Sequence, residues 1–163
     1  MEFETLVEAY SGEMFAYVWR MLRDTADAED CLQETFLRAY RSFSRVRAGT
    51  NYRAWLYKIA TNTARTHAKQ RGRIAARTID LDPELQSDRV APIDRVVRRE
   101  TIEAVIRDVE ELPHQQRAAL IMRQYKELGY DDIAWALDCT EAAARANVYQ
   151  ALKKLRVQFD VNG

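Results

Sequence analysis

The sequence contains few of the residues that make turns, covalent cross-links and metal sites. Its 163 residues include only five glycines, three prolines and two cysteines. Few glycines and prolines disfavour β architectures, which need frequent turns. The cysteines Cys31 and Cys139 and the histidines His67 and His114 are scattered, and their spacing indicates no zinc or disulfide framework. The chain is rich in Ala, Leu, Arg, Glu and Gln, and this composition predicts an all-α protein.

Long apolar runs and a basic leader are missing as well. No apolar stretch approaches the ~18 residues of a membrane span. The chain begins Met1-Glu2-Phe3-Glu4, which is acidic where a signal peptide would be basic. We therefore expect a soluble protein located in the cytoplasm.

No catalytic constellation can be recognised either. The sequence has no Gly-rich phosphate loop, no Ser/His/Asp arrangement and no cluster of metal ligands. We expect no enzyme activity, no catalytic residue, no bound metal or other cofactor, and no small-molecule substrate.

The charges are distributed in blocks, although 25 basic residues balance 25 acidic ones. Residues 31–77 carry eleven basic residues against one acidic, a net charge of +10. The neighbouring blocks 1–30 and 78–112 are acidic, at −6 and −5, and residues 113–163 carry +1. The basic block is a candidate phosphate-binding surface. A solvated face that is neutralised by its acidic neighbours would give the same pattern.

Hydrophobic periodicity predicts three helices in the first half of the chain. The first carries apolar residues from Phe3 to Leu22. The second begins in the acidic run from Asp24 to Asp30, which contains a possible N-cap. A break over Ser44 to Asn51, which includes Gly49, precedes a third helix from about Tyr52 to Gln70. The buried stripe of the second helix is predicted to contain Ala28, Leu32, Phe36, Ala39 and Phe43, with Cys31 and Thr35 beside it.

The third predicted helix has two different faces. Tyr52, Leu56, Ile59, Thr63 and His67 share one arc of the helical wheel. A polar, basic arc contains Lys58, Asn62, Arg65 and Lys69, and Trp55 lies between the two arcs. Cations beside an aromatic ring and a flexible loop suit single-stranded nucleic acid. Alternatively, Trp55 belongs to the core and the basic residues are simply solvated.

Periodicity disappears from Arg71 to about Pro92, where the composition turns acidic. This segment predicts a flexible linker. Helical spacing resumes with Ile93, and Pro113 suits the first turn of a further helix. The predicted fold is all-α, with two small helical domains, 1–73 and 93–163, joined by an acidic linker over 74–92.

The second domain contains a helix-turn-helix pattern. A short helix over Tyr130 to Leu137 is followed by the turn Asp138-Cys139-Thr140 and a long helix from Glu141 to about Phe159. Two helices joined by such a turn are typical of DNA-binding proteins, although any αα-hairpin could produce the pattern. The outward face of the long helix presents Ala142, Arg145, Ala146, Tyr149, Gln150 and Lys153.

Two runs of sequence resemble bacterial RNA polymerase sigma factors of the extracytoplasmic-function (ECF) group. One is DAEDCLQETFLRAY, residues 27–40, and the other is YRAWLYKIATNTA, residues 52–64. Leu112-Pro113 and the helix-turn-helix follow in the family's order, so the resemblance covers nearly the whole chain. It implies a region 2 that binds the polymerase clamp and opens the minus-ten promoter element, and a region 4 that reads the minus-35 element.

The resemblance also implies roles for particular residues. Asp30, Gln33, Glu34, Arg38 and Arg41 would bind core RNA polymerase. Ala48, Gly49, Thr50 and Asn51 would form the loop that captures a flipped base of the minus-ten element. The resemblance adds Asn62 on the adjoining helix. The other residues of the basic arc and its edge would complete that DNA surface: Trp55, Lys58, Arg65 and Lys69. Region 4, with the six outward residues of the long helix, would contact the polymerase flap and minus-35 DNA, and an anti-sigma factor is a further candidate partner.

The recognition helix departs from the family pattern. It has Ala146, Asn147, Gln150 and Leu152 where relatives often carry Lys or Arg, and Thr140-Glu141-Ala142 replaces a Gly or Pro around the turn. Two other functions remain open at this point. A free-standing helix-turn-helix regulator would need a dimerisation element, and a helical adaptor would bind only protein. Neither explains the two motif runs of the N-terminal half.

Overall fold

A computed structural model describes residues 2–77, 102–105 and 107–162, with side chains for residues 2–72, 102–105 and 107–156. All regular structure in these ranges is helical, in agreement with the predicted all-α class. The helices are α1 (Phe3–Leu22), α2 (Thr25–Phe43), α3 (Tyr52–Arg77), α4 (His114–Gln124), α5 (Tyr130–Leu137) and α6 (Glu141–Asn162). Residues 102–105 and 107–111 are also helical.

Helices α1, α2 and α3 pack together into the N-terminal unit. The N-cap of α2 is the first residue of the acidic run, Asp24, whose Oδ1 accepts a hydrogen bond from the backbone N–H of Asp27 at 2.9 Å. The core includes two tyrosines, Tyr17 and Tyr57, whose rings meet edge to face at 4.9 Å. The Tyr17 hydroxyl is satisfied by Thr61 Oγ1 at 2.7 Å, which removes the cost of burying it.

The predicted helix faces of this unit need correction. In α2 the fully buried residues are Ala28, Cys31, Thr35 and Ala39, whereas the predicted Leu32, Phe36 and Phe43 are half-buried. In α3 the buried face is rotated from the predicted arc onto the following residues: Ala54, Trp55, Leu56, Tyr57, Ala60, Thr61, Thr63 and Ala64. The physical cause of the rotation is that α3 packs against three helices, α1, α2 and α5, instead of a single neighbour.

Helix α3 also extends past the predicted end at Gln70, to Arg77. A glycine inside a helix lowers helix stability by about 1 kcal/mol relative to alanine. The helix-forming residues after Gly72 can offset this loss. Arg71 ties this end to the bundle: it donates to the Leu22 carbonyl oxygen at 2.6 Å and pairs with Asp27 at 3.1 Å. Residues 78–92 of the predicted linker, and the predicted helical residues from Ile93 to 101, lie outside the described ranges.

Helices α4, α5 and α6 form the C-terminal unit, in which α4 and α5 both pack against α6. The predicted inner stripe of α6 is confirmed for Ala144, Val148 and Ala151, which are buried, while Leu152 and Leu155 are half-buried. Helix α5 also packs against α3 of the N-terminal unit. The two units therefore share one continuous apolar core in this structure.

Candidate polymerase and promoter interfaces

The turn between α5 and α6 has the geometry of a helix-turn-helix. Asp138 ends α5 in the left-handed conformation at φ 58°, which aspartate tolerates better than most residues. The backbone N–H of Cys139 then donates to the Ala134 carbonyl oxygen at 2.9 Å. Thr140 caps α6 by accepting a hydrogen bond from the Ala143 N–H at 3.0 Å. The turn thus forms without a glycine or a proline.

The outward side of α6 is exposed at all six positions predicted to contact DNA. We call these residues the reading face: Ala142, Arg145, Ala146, Tyr149, Gln150 and Lys153. The Arg145 guanidinium lies over the ring of Tyr130 at 4.3 Å, and that of Arg123 contacts the same ring at 4.4 Å. Tyr130 therefore restricts the orientation of Arg145 through a cation–π contact. Sequence reasoning missed Tyr130, because only the fold brings it to α6.

The exposed side of α3 and the preceding loop form a second polar surface. We call it the minus-ten face: the loop 48–51 together with Lys58, Asn62, Arg65 and Lys69. Asn62 and Lys69 are exposed, and Lys58 and Arg65 are half-exposed. The structure therefore brings the predicted cations onto one side of α3.

The conformation of the loop depends on three of its residues. Gly49 has φ +86°, a left-handed conformation that glycine adopts without strain. Thr50 Oγ1 donates to the Arg47 carbonyl oxygen at 2.7 Å, and Asn51 Oδ1 accepts from the Ala54 N–H at 3.2 Å at the start of α3. These bonds close a turn and cap the start of α3, while Ala48 and Gly49 are exposed.

Trp55 is the exception on this surface. Its side chain is only 9 % exposed, and its ring packs edge to face on Tyr52 at 6.2 Å. In this arrangement Trp55 is a core residue and offers no open face to a nucleobase, so the prediction of a stacking role is corrected here. The cause is the rotated buried face of α3, which places Trp55 inside the unit.

The sequence and structure match known proteins over both units. The family model for Sigma-70 region 2 matches residues 6–74, and that for Sigma-70 region 4 matches residues 102–155. The RNA polymerase sigma-H factor of Pseudomonas aeruginosa is 32 % identical over 161 residues, covering 91 % of this chain and 81 % of that protein. The chain belongs to the sigma-70 family. The ECF RNA polymerase sigma-E factor of Escherichia coli K12 is 29 % identical over 158 residues, with 91 % and 82 % covered.

A solved structure supports the fold. The sigma factor RpoE of Bartonella quintana, crystallised with the anti-sigma factor NepR, superposes with a TM-score of 0.72 at 21 % identity, covering 99 % of this chain and 98 % of that one. The protein is therefore an ECF sigma factor, which binds core RNA polymerase and promoter DNA and directs promoter-specific transcription initiation. The roles of its individual residues remain predictions.

The sigma factor presents a third candidate surface on α2, which we call the clamp face: Asp30, Gln33, Glu34, Arg38 and Arg41. Asp30, Gln33 and Arg41 are exposed, and Glu34 and Arg38 form an ion pair at 3.0 Å within the helix. Leu37 on the same side is 46 % exposed and adds an apolar group to this surface. An open pocket of about 340 Å³ joins Arg38 and Arg41 to Asn62 of the minus-ten face. The clamp face and the minus-ten face therefore adjoin each other.

A partly buried ionic cluster in region 2 was not predicted from the sequence. Arg53 donates from Nε and Nη2 to Glu13 Oε1 at 2.9 and 2.6 Å, and the Tyr57 hydroxyl donates to the same oxygen at 2.7 Å. Burial alone would raise the pKa of Glu13, but the hydrogen bonds from Arg53 and Tyr57 outweigh it and lower the pKa. Arg53 Nη2 also donates to the Lys126 carbonyl oxygen at 3.0 Å, which links region 2 to region 4.

Reactive groups are few in the described ranges of the sigma factor. No group of three His, Cys, Asp or Glu side chains is placed to hold a metal ion there. Burial raises the pKa of the Cys31 thiol to about 12, so it is not a reactive thiolate near neutral pH. None of the described helices is both long and apolar enough to cross a bilayer.

Proposed function

We propose that each of the three exposed surfaces has its own role in transcription initiation. The clamp face of α2 binds the polymerase clamp, and the minus-ten face binds the non-template strand of the opened minus-ten element. The reading face of α6 enters the major groove of the minus-35 element. Domains 1–73 and 93–163 serve as regions 2 and 4, and the acidic segment 74–92 joins them. The protein acts in the cytoplasm and has no enzymatic role of its own.

The observation that carries this proposal is the opposition of polar and apolar sides on α3 and α6. On α6, Ala144 and Val148 are buried, while Arg145 and Tyr149, which directly follow them, are exposed. A helix anchored in this way presents side chains to base edges without disturbing the core. The basic side of α3 suits a single strand, because its cations can follow the phosphates while the loop 48–51 leaves room for an unstacked base.

The individual residues have different expected roles. Asn62 and the loop 48–51 read the flipped base, because amides pair with base edges. Lys58, Arg65 and Lys69 bind phosphates, which adds affinity without sequence preference. Arg145, Tyr149, Gln150 and Lys153 supply the polar contacts of the reading face. We further propose that an anti-sigma factor regulates the protein, as the partner of the superposable sigma factor suggests.

In vitro transcription on a randomised promoter library with purified bacterial core polymerase tests the proposal. We expect transcripts that depend on the added sigma factor, and enriched templates that share a minus-35 and a minus-ten block. Substituting Asn62 by Ala should relax one minus-ten position, and substituting Arg145 by Ala should relax one minus-35 position. Enriched templates that lack either block would contradict the assignment of that surface.

A further inference from the structure

Two exposed arginines, Arg45 and Arg47, precede the loop 48–51 and belong to none of the three surfaces. Neither of them forms an ion pair with a described residue. The neighbouring sequence offers no acidic side chain either, because residues 35–77 contain no aspartate or glutamate. The described part of the chain thus supplies no anion for these two cations.

The backbone that carries both arginines is held in place. The Arg45 N–H donates to a carbonyl oxygen of α2 at 3.0 Å, and Val46, between the two arginines, packs against the apolar core. Arg47 begins a four-residue turn, because its carbonyl oxygen accepts hydrogen bonds from the Thr50 N–H at 3.2 Å and from Thr50 Oγ1 at 2.7 Å. Both side chains therefore project from ordered backbone beside the exposed tip of the loop.

A base that is captured at this tip has a phosphate on each side of its sugar. Lys58 and Arg65 follow the loop along α3, where they can bind the backbone that runs along that helix. Arg45 and Arg47 precede the loop, at the end of α2. A guanidinium suits phosphate oxygens, because it can offer them two parallel N–H donors. Cations on both flanks of the loop fit a strand that passes across it.

We propose that Arg45 and Arg47 bind backbone phosphates of the promoter strand next to the captured base, on the α2 flank of the loop. The inference rests on the proposed role of the minus-ten face and adds a second phosphate-binding edge to it. Phosphate contacts position the strand without reading its sequence. The two arginines therefore add affinity and salt dependence and leave the preferred minus-ten sequence unchanged.

Fluorescence anisotropy with purified holoenzyme, the complex of core polymerase and sigma factor, tests the inference. The probe is a labelled single-stranded oligonucleotide that carries the non-template minus-ten element of a promoter selected by this sigma factor. The test variant is Arg45→Gln/Arg47→Gln. The matched control is Lys154→Gln/Arg156→Gln, which removes two exposed positive charges of α6 outside the reading face. Because the holoenzyme is purified after assembly, a weaker contact with core polymerase cannot imitate weaker DNA binding.

Counterion release sets the expected size of the effect. Two phosphate contacts to a single strand account for a slope of about 1.4 in a plot of log affinity against log salt concentration. We expect the test variant to lose that part of the slope and to bind about 5–20-fold more weakly near 0.1 M salt. The control variant should keep the slope of the parent chain and bind within about twofold of it. Equal losses in both variants would overturn the inference, because a general effect of charge would explain them.

Neutral methylphosphonate linkages locate the contact on the DNA. They replace the phosphates on either side of the captured base, one at a time. At least one of them should weaken binding by the parent holoenzyme about fivefold. The same linkage should cause no further loss in the test variant, because the contact is already missing there. A test variant that stays fully sensitive to every linkage would contradict the proposed contact.

Lys58→Ala in the same assay separates this inference from the minus-ten face on which it rests. If Lys58→Ala weakens binding but the test variant matches its control, Arg45 and Arg47 do not bind the strand and the minus-ten face stands. The same conclusion holds if the test variant loses only its capture of core polymerase. If neither Lys58→Ala nor the test variant changes binding, the minus-ten assignment fails, and this inference fails with it.

Discussion

Substituting Tyr130 tests whether the structure places the reading face correctly. The Tyr130 ring contacts the guanidiniums of Arg145 at 4.3 Å and Arg123 at 4.4 Å. Tyr130→Leu removes the ring but keeps an apolar side chain at the start of α5, and Tyr130→Phe keeps the ring and removes only the hydroxyl. The two variants therefore separate the cation–π contact from every contribution of the hydroxyl.

The magnitude follows from the exposure of the contact. Arg145 is exposed, and a cation–π contact at an exposed site contributes about 0.5–1 kcal/mol. Losing it should reduce minus-35-dependent transcription about two- to fivefold. Arg145→Ala removes the base contact itself and should cost about 1–3 kcal/mol at one promoter position. If Tyr130 acts only through Arg145, the double variant should be no worse than Arg145→Ala alone.

The assay is run-off transcription with core polymerase on two templates that differ only in a scrambled minus-35 element. Tyr130→Leu should reduce the intact template selectively, and Tyr130→Phe should behave like the parent chain. The reasoning is refuted if Tyr130→Leu reduces both templates by the same factor, or if Tyr130→Phe loses as much as Tyr130→Leu. Thermal unfolding of each variant identifies a loss that is due to instability.

Three further predictions concern region 2 and its contact with region 4. Glu34→Lys should weaken the pull-down of core polymerase without lowering the unfolding temperature markedly, because the surface pair that it breaks contributes under about 1 kcal/mol; unchanged capture would remove Glu34 from the clamp face. Asn62→Ala should relax one minus-ten position, whereas Lys58→Ala should weaken all promoters alike and reduce the salt dependence, and identical sequence-independent losses would contradict a base-reading role. Burial, aided by the charge of Arg65, lowers the pKa of His114 to about 4 from its usual value near 6.5. The unfolded state therefore binds the proton first, so stability should fall as the pH drops through that window, by about 1–2 kcal/mol after allowance for partial exposure. His114→Gln, whose amide can still donate to Thr61, should remove this contribution in parallel urea titrations, and identical pH dependence in both chains would disprove it.

Local signals predicted the helices well where propensity and packing agree. The cap at Asp24, the turn that begins at Asp138 and the inner residues Ala144 and Val148 all follow from neighbours in sequence. The exposed positions of α6 could be predicted from the same pattern, because the side of a helix opposite its buried stripe faces solvent. The exposed residues of the reading face could therefore be located from the amino-acid sequence alone.

Features that depend on packing could not be predicted in the same way. Trp55 and the true buried face of α3 depend on three neighbouring helices, which a single helical wheel does not contain. The Asn51–Asp132 hydrogen bond joins residues 81 positions apart, and no periodicity relates them. Tyr130 was recognisable only as the first residue of a helix. Its contact with Arg145 arises from the packing of α5 against α6.

The central claim is that this chain gives core polymerase its promoter specificity through two DNA-binding regions, region 2 and region 4. Run-off transcription tests it most directly, on four templates in which the minus-35 element, the minus-ten element, both or neither are scrambled. Core enzyme alone should give no specific start. With the sigma factor, the intact template should give one defined start, each single scramble should reduce it, and the double scramble should abolish it. A transcript pattern that does not change when the chain is added would contradict the account.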